Sequence, residues 1–293
     1  MTGSTGLTGN LLLGHYAHTH PGAEVTCLLR ETSDRTLLER LSLSLDYVTG
    51  DSASTESWRQ VLATRKPETI IHVAQLRQVP ALLAGLKAHA QTPRLIIIGT
   101  TGIYSKFNEY AQEYIMAEAA LQQYTGAVCL LRPTMIYGSP RDKNIHRLIR
   151  FCDRNGFFFV FGPGNNLLQP IHADDVAQAL LAVWQNPQLS GGYEISGADV
   201  IAYRELIELV GKLLGKPIRQ LSFPLGLGIN LATMAEKILG ARSPVKREQI
   251  LRLQEDKAYA HQAAHDAFGF SPRTLEAGLR QEIELMRSAG MIS

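Results

Sequence analysis

The chain reads as a doubly wound parallel α/β sheet with a smaller, mainly helical C-terminal lobe. Three observations predict this class. Short apolar β-type runs alternate with helix-length segments through the first two thirds of the chain. A turn with glycine at every third position opens the chain, directly ahead of a helix-like stretch. The composition is that of an ordinary globular chain, with 293 residues, 45% hydrophobic and 19% charged, enough for one large core or two intimate lobes.

The strand candidates are residues 25–29, 47–49, 69–73, 95–98 and 128–131. Leu95-Ile-Ile-Ile98 is continuously apolar, as a strand covered on both faces must be. Helix-like segments lie between the strands at 10–17, 34–43, 55–63, 80–89 and 109–124. Beyond Gly138 the alternation changes. A helix is expected at 145–155, then the apolar run Phe157-Phe-Phe-Val-Phe161, read as core. A helix at 174–184 and a last strand at 193–196 follow, and from Ala202 onward the chain reads as helical, broken at Pro217, Pro224, Pro244 and Pro272. Residues 1–140, rejoined by 170–198, therefore form the expected nucleotide-binding part. Residues 141–169 and 199–293 form the substrate lobe.

The turn Thr2-Gly-Ser-Thr-Gly-Leu-Thr-Gly9 carries glycine at Gly3, Gly6 and Gly9. In such a turn the first glycine permits the bend, the second lets backbone N–H groups approach a pyrophosphate, and the third packs helix against strand. The strand that feeds it lies at the centre of a doubly wound sheet. Only Met1 and Thr2 precede Gly3, so a first strand of about five residues is apparently truncated. The natural chain is expected to begin upstream, the alternative being another segment that fills the gap. After residues 25–29 comes Arg30-Glu31-Thr-Ser-Asp-Arg35, where an adenosine ribose would be read. Arg30 and Arg35 suit a 2′-phosphate and Glu31 a free 2′-hydroxyl, so NADP is favoured over NAD.

Charge and composition exclude several classes. Lys+Arg 29 against Asp+Glu 27 leaves +2, without the clustered basic face of a nucleic-acid binder. The apolar stretch 221–239 is interrupted by Asn230, Glu236 and Lys237 and is not a membrane span; it suits a lid, an oligomer face or a membrane-surface face. Cys27, Cys129 and Cys152 lack disulfide or zinc spacing and read as buried small residues of a reducing, cytoplasmic protein. His15, His18 and His20 have no metal-set spacing. Asp174-Asp175 reads as an N-cap and a first-turn acid.

Ordered motifs over nearly the whole chain resemble the short-chain dehydrogenase/reductase superfamily, in its extended or atypical branches that include nucleotide-sugar epimerases and dehydratases. They are the glycine turn, Gly50-Asp51, Ile71-His-Val-Ala74, Gly99-Thr-Thr-Gly-Ile-Tyr104, Leu131-Arg-Pro-Thr-Met-Ile-Tyr-Gly138, His172-Ala-Asp-Asp-Val-Ala177 and Ser271-Pro-Arg-Thr-Leu-Glu-Ala-Gly278. The resemblance implies a Rossmann-type fold. It implies a dinucleotide held by Gly3, Thr5, Gly6 and Gly9, with Asp51 at the adenine, Ala74 beside the nicotinamide ribose, and Pro133 and Thr134 closing the nicotinamide end. It further implies a homodimer and a small-molecule substrate whose oxygen is bound by Thr100.

The family's catalytic pair is a Tyr with a Lys four residues later. Anchoring on Ala117-Glu118 puts the tyrosine at Tyr110 and the lysine position at Tyr114, so the lysine is missing. An unassisted phenol with a pKa of about 10 is ionised in roughly one molecule per thousand at pH 7. Lys106 is near enough in sequence to reach in from the loop. The Arg-Asp pair common in nucleotide-sugar enzymes is replaced by Leu168 and Gln169, so phosphate recognition falls to Arg141, Arg147 or Arg150, with Arg141 and Asn144 as the substrate-facing candidates. Two functions remain: hydride transfer at a carbinol carbon with Tyr110 as proton relay, or a non-catalytic NADP(H)-binding redox sensor or accessory subunit.

Overall fold

A computed structural model describes residues 1–140, 142, 144–240 and 247–293. The parallel sheet is built from β1 (Glu24–Leu29), β2 (Ser44–Thr49), β3 (Thr69–His72), β4 (Arg94–Ile98), β5 (Val128–Pro133) and, four strands later in the chain, β10 (Gly191–Ile195). β1 pairs with β2, and β3, β4, β5 and β10 form a continuous parallel ladder. Thr2 joins the two parts, bridging Leu28 of β1 and His72 of β3. The order is therefore β2-β1-Thr2-β3-β4-β5-β10, with a two-residue tab in the central position.

The helices cover both faces. On one lie α1 (Leu7–Thr19) and α6 (Ala173–Gln185), whose Leu12, Val176, Leu180 and Val183 pack on Ile71, Ile96, Ile98, Cys129 and Leu131. On the other lie α2 (Thr55–Thr64), α3 (Val79–Ala88) and α4 (Ala111–Gln122), packed on Leu28, Ile70, Leu95, Ile97 and Leu130. Leu95, Ile96 and Ile97 are fully enclosed, because alternate residues of a strand point to opposite faces and here both faces are covered.

The C-terminal lobe has its own core, in which Ile145, Leu148, Ile149 and Cys152 of α5 (Ile145–Asn155) meet Leu206, Ile207 and Val210 of α7 (Tyr203–Leu214) and Leu279, Ile283 and Met286 of α11 (Leu275–Ser288). The short strands β6 (Ile136–Tyr137) and β9 (Ile171–His172) pair beside it, as do β8 (Leu167–Leu168) and β11 (Ile201–Ala202). α8 (Leu225–Leu239), α9 (Arg247–Arg252) and α10 (Gln262–Phe268) complete the fold.

Four expectations are corrected. Residues 34–43 form hydrogen-bonded turns, with the Leu38 and Glu39 N–H groups donating to the Arg35 carbonyl, and only Leu38 is buried there. The C-terminal region is not all helical, since β12 (Arg219–Phe223) pairs with β7 (Phe157–Phe161). That β-pair also explains why the phenylalanine run is only partly core: Val160 is fully enclosed and Phe158 packs on the same cluster, while Phe159 is 41% exposed. Finally, the N-cap of α6 is His172, whose Nδ1 accepts from the Asp174 N–H. Asp174 and Asp175 occupy the first turn.

All three cysteines are buried and free. Among the described residues no helix is long and apolar enough to cross a membrane.

Candidate nucleotide and substrate site

The glycine turn lies at the C-terminal end of the tab. Gly3 has φ +71, and a Cβ there would stand 2.8 Å from the Val73 carbonyl carbon. A Cβ on Gly9 would stand 2.2 Å from the Gly3 carbonyl oxygen. Both positions are restricted to glycine by backbone approach. Gly6 is the N-cap of α1 and offers no capping side chain, and the first turn holds no acid. The amides of that turn are thus free of side-chain acceptors, and a helix start of this kind suits a pyrophosphate. Thr5 is half-buried within the turn, and Ala74 lies against Gly3.

Arg30, at the end of β1, is exposed. Arg35 places its guanidinium 4.9 Å from the centre of the Tyr47 ring. Asp51 is exposed and its Oδ1 accepts from the Ala53 N–H at 2.9 Å. These residues sit at the C-terminal ends of β1 and β2, where ligands of open α/β sheets collect.

A cleft of about 980 Å3 opens where β4 and β5 end against the C-terminal lobe. Thr100, Thr134 and Asn144 line it. Thr100 caps a short 3-10 turn, Thr101–Tyr104, its Oγ1 accepting from the Gly102 N–H at 3.0 Å, which leaves the hydroxyl proton for another acceptor. The Thr134 hydroxyl donates to the Gln169 carbonyl, and Pro133 ends β5 with its carbonyl accepting from the Thr101 hydroxyl at 3.2 Å. Arg141 lies outside the described residues. Arg147 lines the cleft.

Tyr110 is not among the residues lining the cleft. Its ring lies 4.7 Å beneath the Arg77 guanidinium, at the N-cap position of α4. Tyr114, at the lysine position of the resemblance, packs half-buried against the core beneath α2, α3 and α4. Tyr104, Tyr203 and Tyr259 do line the cleft, and Tyr104, beside Thr100, donates to Glu194 Oε1 at 2.6 Å. Burial and that carboxylate push the phenol up to about 12, so it is a neutral donor at physiological pH. Glu194 in turn pairs with Arg132, which holds Glu118 in a two-point contact.

The far wall comes from residues the motif reading passed over. Lys257 pairs its backbone with Leu167, and its Nζ donates to the Arg252 carbonyl. Burial, helped by the nearby Arg252 charge, drops this amine to about 8. Glu255 accepts from the Ser105 hydroxyl at 2.6 Å and the Lys106 N–H at 2.7 Å, tying the wall to the loop after β4. These partners are about 150 residues apart in sequence, so no local spacing could have revealed them. Gln169, at one of the positions of the family's Arg-Asp pair, is buried and structural: it donates to the Gly197 carbonyl and accepts from the Tyr259 N–H.

Sheet order, glycine turn and cleft together define a Rossmann-type α/β protein with a ligand crevice at the carboxyl ends of its strands. The chain belongs to the NAD dependent epimerase/dehydratase family, whose sequence model matches residues 1–196. Among curated relatives, short-chain dehydrogenase/reductase family 42E member 1 of Mus musculus is 22% identical over 64% of this chain and 52% of its own length. NADH dehydrogenase [ubiquinone] 1 alpha subcomplex subunit 9, mitochondrial, of Arabidopsis thaliana is 26% identical over 48% of this chain and 36% of its own length. The chain thus spans about half the length of these relatives, or less. The fold matches UDP-glucose 4-epimerase of Thermotoga maritima, crystallised with UDP-glucose, at TM-score 0.73 and 16% identity over 98% of each chain. UDP-glucuronic acid 4-epimerase of Bacillus cereus, in complex with UDP-glucuronic acid and NAD, matches at TM-score 0.74 and 16% identity over 98% of each chain.

Proposed function

We propose that the protein is a nicotinamide-dinucleotide-dependent enzyme that moves a hydride at a carbinol or carbonyl carbon of a sugar-like substrate, a nucleotide sugar being the leading class. The observation that carries this reading is the cleft that joins Thr100, at the end of β4, to a charged wall in which Arg252 and Lys257 stand beside Glu255 and Asp256. Residues 1–140 with 170–198 hold the dinucleotide, and 141–169 with 199–293 hold the substrate. The glycine turn fits a pyrophosphate for the reasons of backbone approach and free amides given above, and Asp51, Ala74, Pro133 and Thr134 surround the rest. The exposed Arg30 and the Tyr47-braced Arg35 favour NADP over NAD. A bound nicotinamide supplies the hydride acceptor or donor.

This chain's own side chains bind, orient and protonate. Thr100 donates to the substrate oxygen, Tyr104 holds a proton at its phenol oxygen beside Glu194, and Lys257 neutralises negative charge on the substrate. The test is a fluorescence titration with NADPH and NADH, followed by turnover with sugar nucleotides and simple carbonyls. Dinucleotide binding with no turnover across the panel overturns the catalytic reading.

One observation favours a second reading, a non-catalytic nucleotide-binding sensor or accessory subunit. Tyr114 replaces the family's lysine and Tyr110 lies under Arg77, away from the cleft. Thr100→Val and Tyr104→Phe discriminate. An enzyme loses at least about tenfold in kcat with dinucleotide affinity kept, whereas a sensor is indifferent to both.

A further inference from the structure

The ribbon formed by β7 and β12 has two unlike faces. Successive residues of a strand alternate sides, and the register sets Phe158 against Gln220 and Val160 against Ser222 on one of them. There Phe158 and Val160 join the core of the C-terminal lobe, and Arg204 of α7 donates to both Gln220 and Ser222. The other face therefore carries Phe157, Phe159 and Phe161 beside Arg219, Leu221 and Phe223. Phe223 meets both Phe159 and Phe161 edge-on. This face looks outward, with Phe159 exposed and Leu221 43% exposed.

α8 extends the surface. Its Gly228 lies against the Phe161 ring, where a Cβ would stand 2.6 Å from Cδ1, so helix and ribbon adjoin. Leu227, Leu231, Met234 and Ile238 recur at helical spacing along one side of α8 and are 47% to 72% exposed. Glu236, the one acid of this helix, stands on the opposite side from that stripe. α8 contributes no residue to the cleft between the lobes, so the stripe is not its cover. A contiguous apolar surface of this kind on a folded chain marks a place where something else docks.

Its border is cationic. Arg150 and Arg154 lie one turn apart on α5 beside Phe151, whose ring meets Phe157 edge-on. Arg219 opens β12, and Lys237 flanks the stripe. All four are exposed, and among the described residues none of them is in an ion pair. The carboxylates of this region are engaged elsewhere, Asp153 with Lys216 and Glu208 with Gln220 on the inner side of the ribbon. We propose that the ribbon face and the α8 stripe together dock on an anionic membrane surface. The stripe, Phe159 and Leu221 sink to the level of the acyl chains, and the four cations meet the charged headgroups. Charge decides between occupants: a second copy docked through the same face would gather the cations of both copies without carboxylates to pair them. The inference does not depend on the catalytic reading.

The test is flotation of the chain with vesicles of phosphatidylcholine alone and of phosphatidylcholine with phosphatidylserine. Binding is expected to be at least about tenfold stronger to the anionic vesicles and to weaken with added salt. Leu231→Glu with Met234→Glu, and separately Arg150→Gln with Arg154→Gln, are each expected to lower it at least about tenfold. These side chains are exposed, so the thermal midpoint should not move. Met116→Glu, on an equally exposed methionine of α4, should float like the parent. No binding to the anionic vesicles overturns the proposal, as does equal binding to both vesicle types or binding that survives Leu231→Glu with Met234→Glu. A dimer in sedimentation velocity that the same two substitutions dissociate, with no flotation, overturns it in favour of a second copy. None of these readouts depends on a dinucleotide or on turnover.

Discussion

Arg273 and Asp175, 98 residues apart in the chain, meet in a two-point clasp: the Arg273 Nε donates to Oδ1 at 2.9 Å and its backbone N–H donates to Oδ2 at 3.1 Å. The same guanidinium reaches Asp174, which also accepts from His15 on α1 at 2.6 Å. One arginine ahead of α11 therefore fastens the first turn of α6, and through it α1, to the C-terminal lobe. Burial pushes the Asp175 carboxyl up even with Arg273 beside it, while the two carboxylates keep the guanidinium charged. Arg273→Met leaves Asp175 enclosed without its partner and is expected to cost about 3 kcal/mol, read from urea unfolding. Loss of less than about 1 kcal/mol would mean the clasp behaves as a surface pair.

Stability should peak near pH 6.5. Burial holds His72 and His172 down to about 4, so each contributes stability that is present above its ordinary value and is lost as pH falls toward 4. Glu282 behaves in the opposite sense. Burial, and Asp142 beside it, push its carboxyl up to about 10, so its contribution is full below its ordinary value and declines as pH rises toward 10. The two histidines outweigh the one carboxyl on the acid side; above pH 6.5 the carboxyl sets a falling limb, which Lys257, dropped to about 8, opposes above that pH. The alkaline limb should slope by up to about 1.4 kcal/mol per pH unit. Glu282→Gln should flatten it, which thermal melts across pH 6 to 10 will test.

Lys257→Met should raise KM for an anionic substrate about tenfold while NADPH titration is unchanged. Because the amine is poised at about 8, substrate binding should weaken as pH rises through that value in the parent and not in the variant. A parallel loss of dinucleotide affinity would place Lys257 elsewhere than on the substrate.

Gly9→Ala puts a methyl 2.2 Å from the Gly3 carbonyl oxygen. Relief requires α1 to move off the tab, with an expected loss of roughly 2 kcal/mol and NADPH affinity at least about tenfold weaker. Gly14→Ala, on the same helix with open space around it, is the control: it should leave NADPH affinity unchanged and raise stability by about 0.5–1 kcal/mol through helix propensity.

Much of the sheet is legible from local pattern. Leu95-Ile-Ile-Ile98 names its own burial, and the glycine spacing places the turn. The segment 34–43 misleads because its apolar residues approximate a helical period, yet Leu38 alone is enclosed and Asp34 caps a turn instead, accepting from the Thr36 N–H and hydroxyl. β12 escapes because Arg219-Gln-Leu-Ser-Phe223 lacks clean alternation and is held by β7, some sixty residues earlier. The cleft's far wall is illegible for the same reason: Glu255 and Lys257 acquire their surroundings only when residues 253–259 return to the ends of β4 and β8. Tyr104 ends the Gly99-Thr-Thr-Gly-Ile-Tyr104 motif, and what distinguishes it from Tyr110 is which way the chain turns after Thr100.

Gln169 carries a consequence for redesign. Its amide bridges the Gly197 carbonyl and the Tyr259 backbone N–H, so the position serves as a splint between two strands of chain that frame the cleft. Grafting a charged phosphate-binding residue into that position would remove the splint before the new side chain met any ligand. Specificity in this scaffold is more readily altered from the rim, at Arg147 or Lys257, than from the floor.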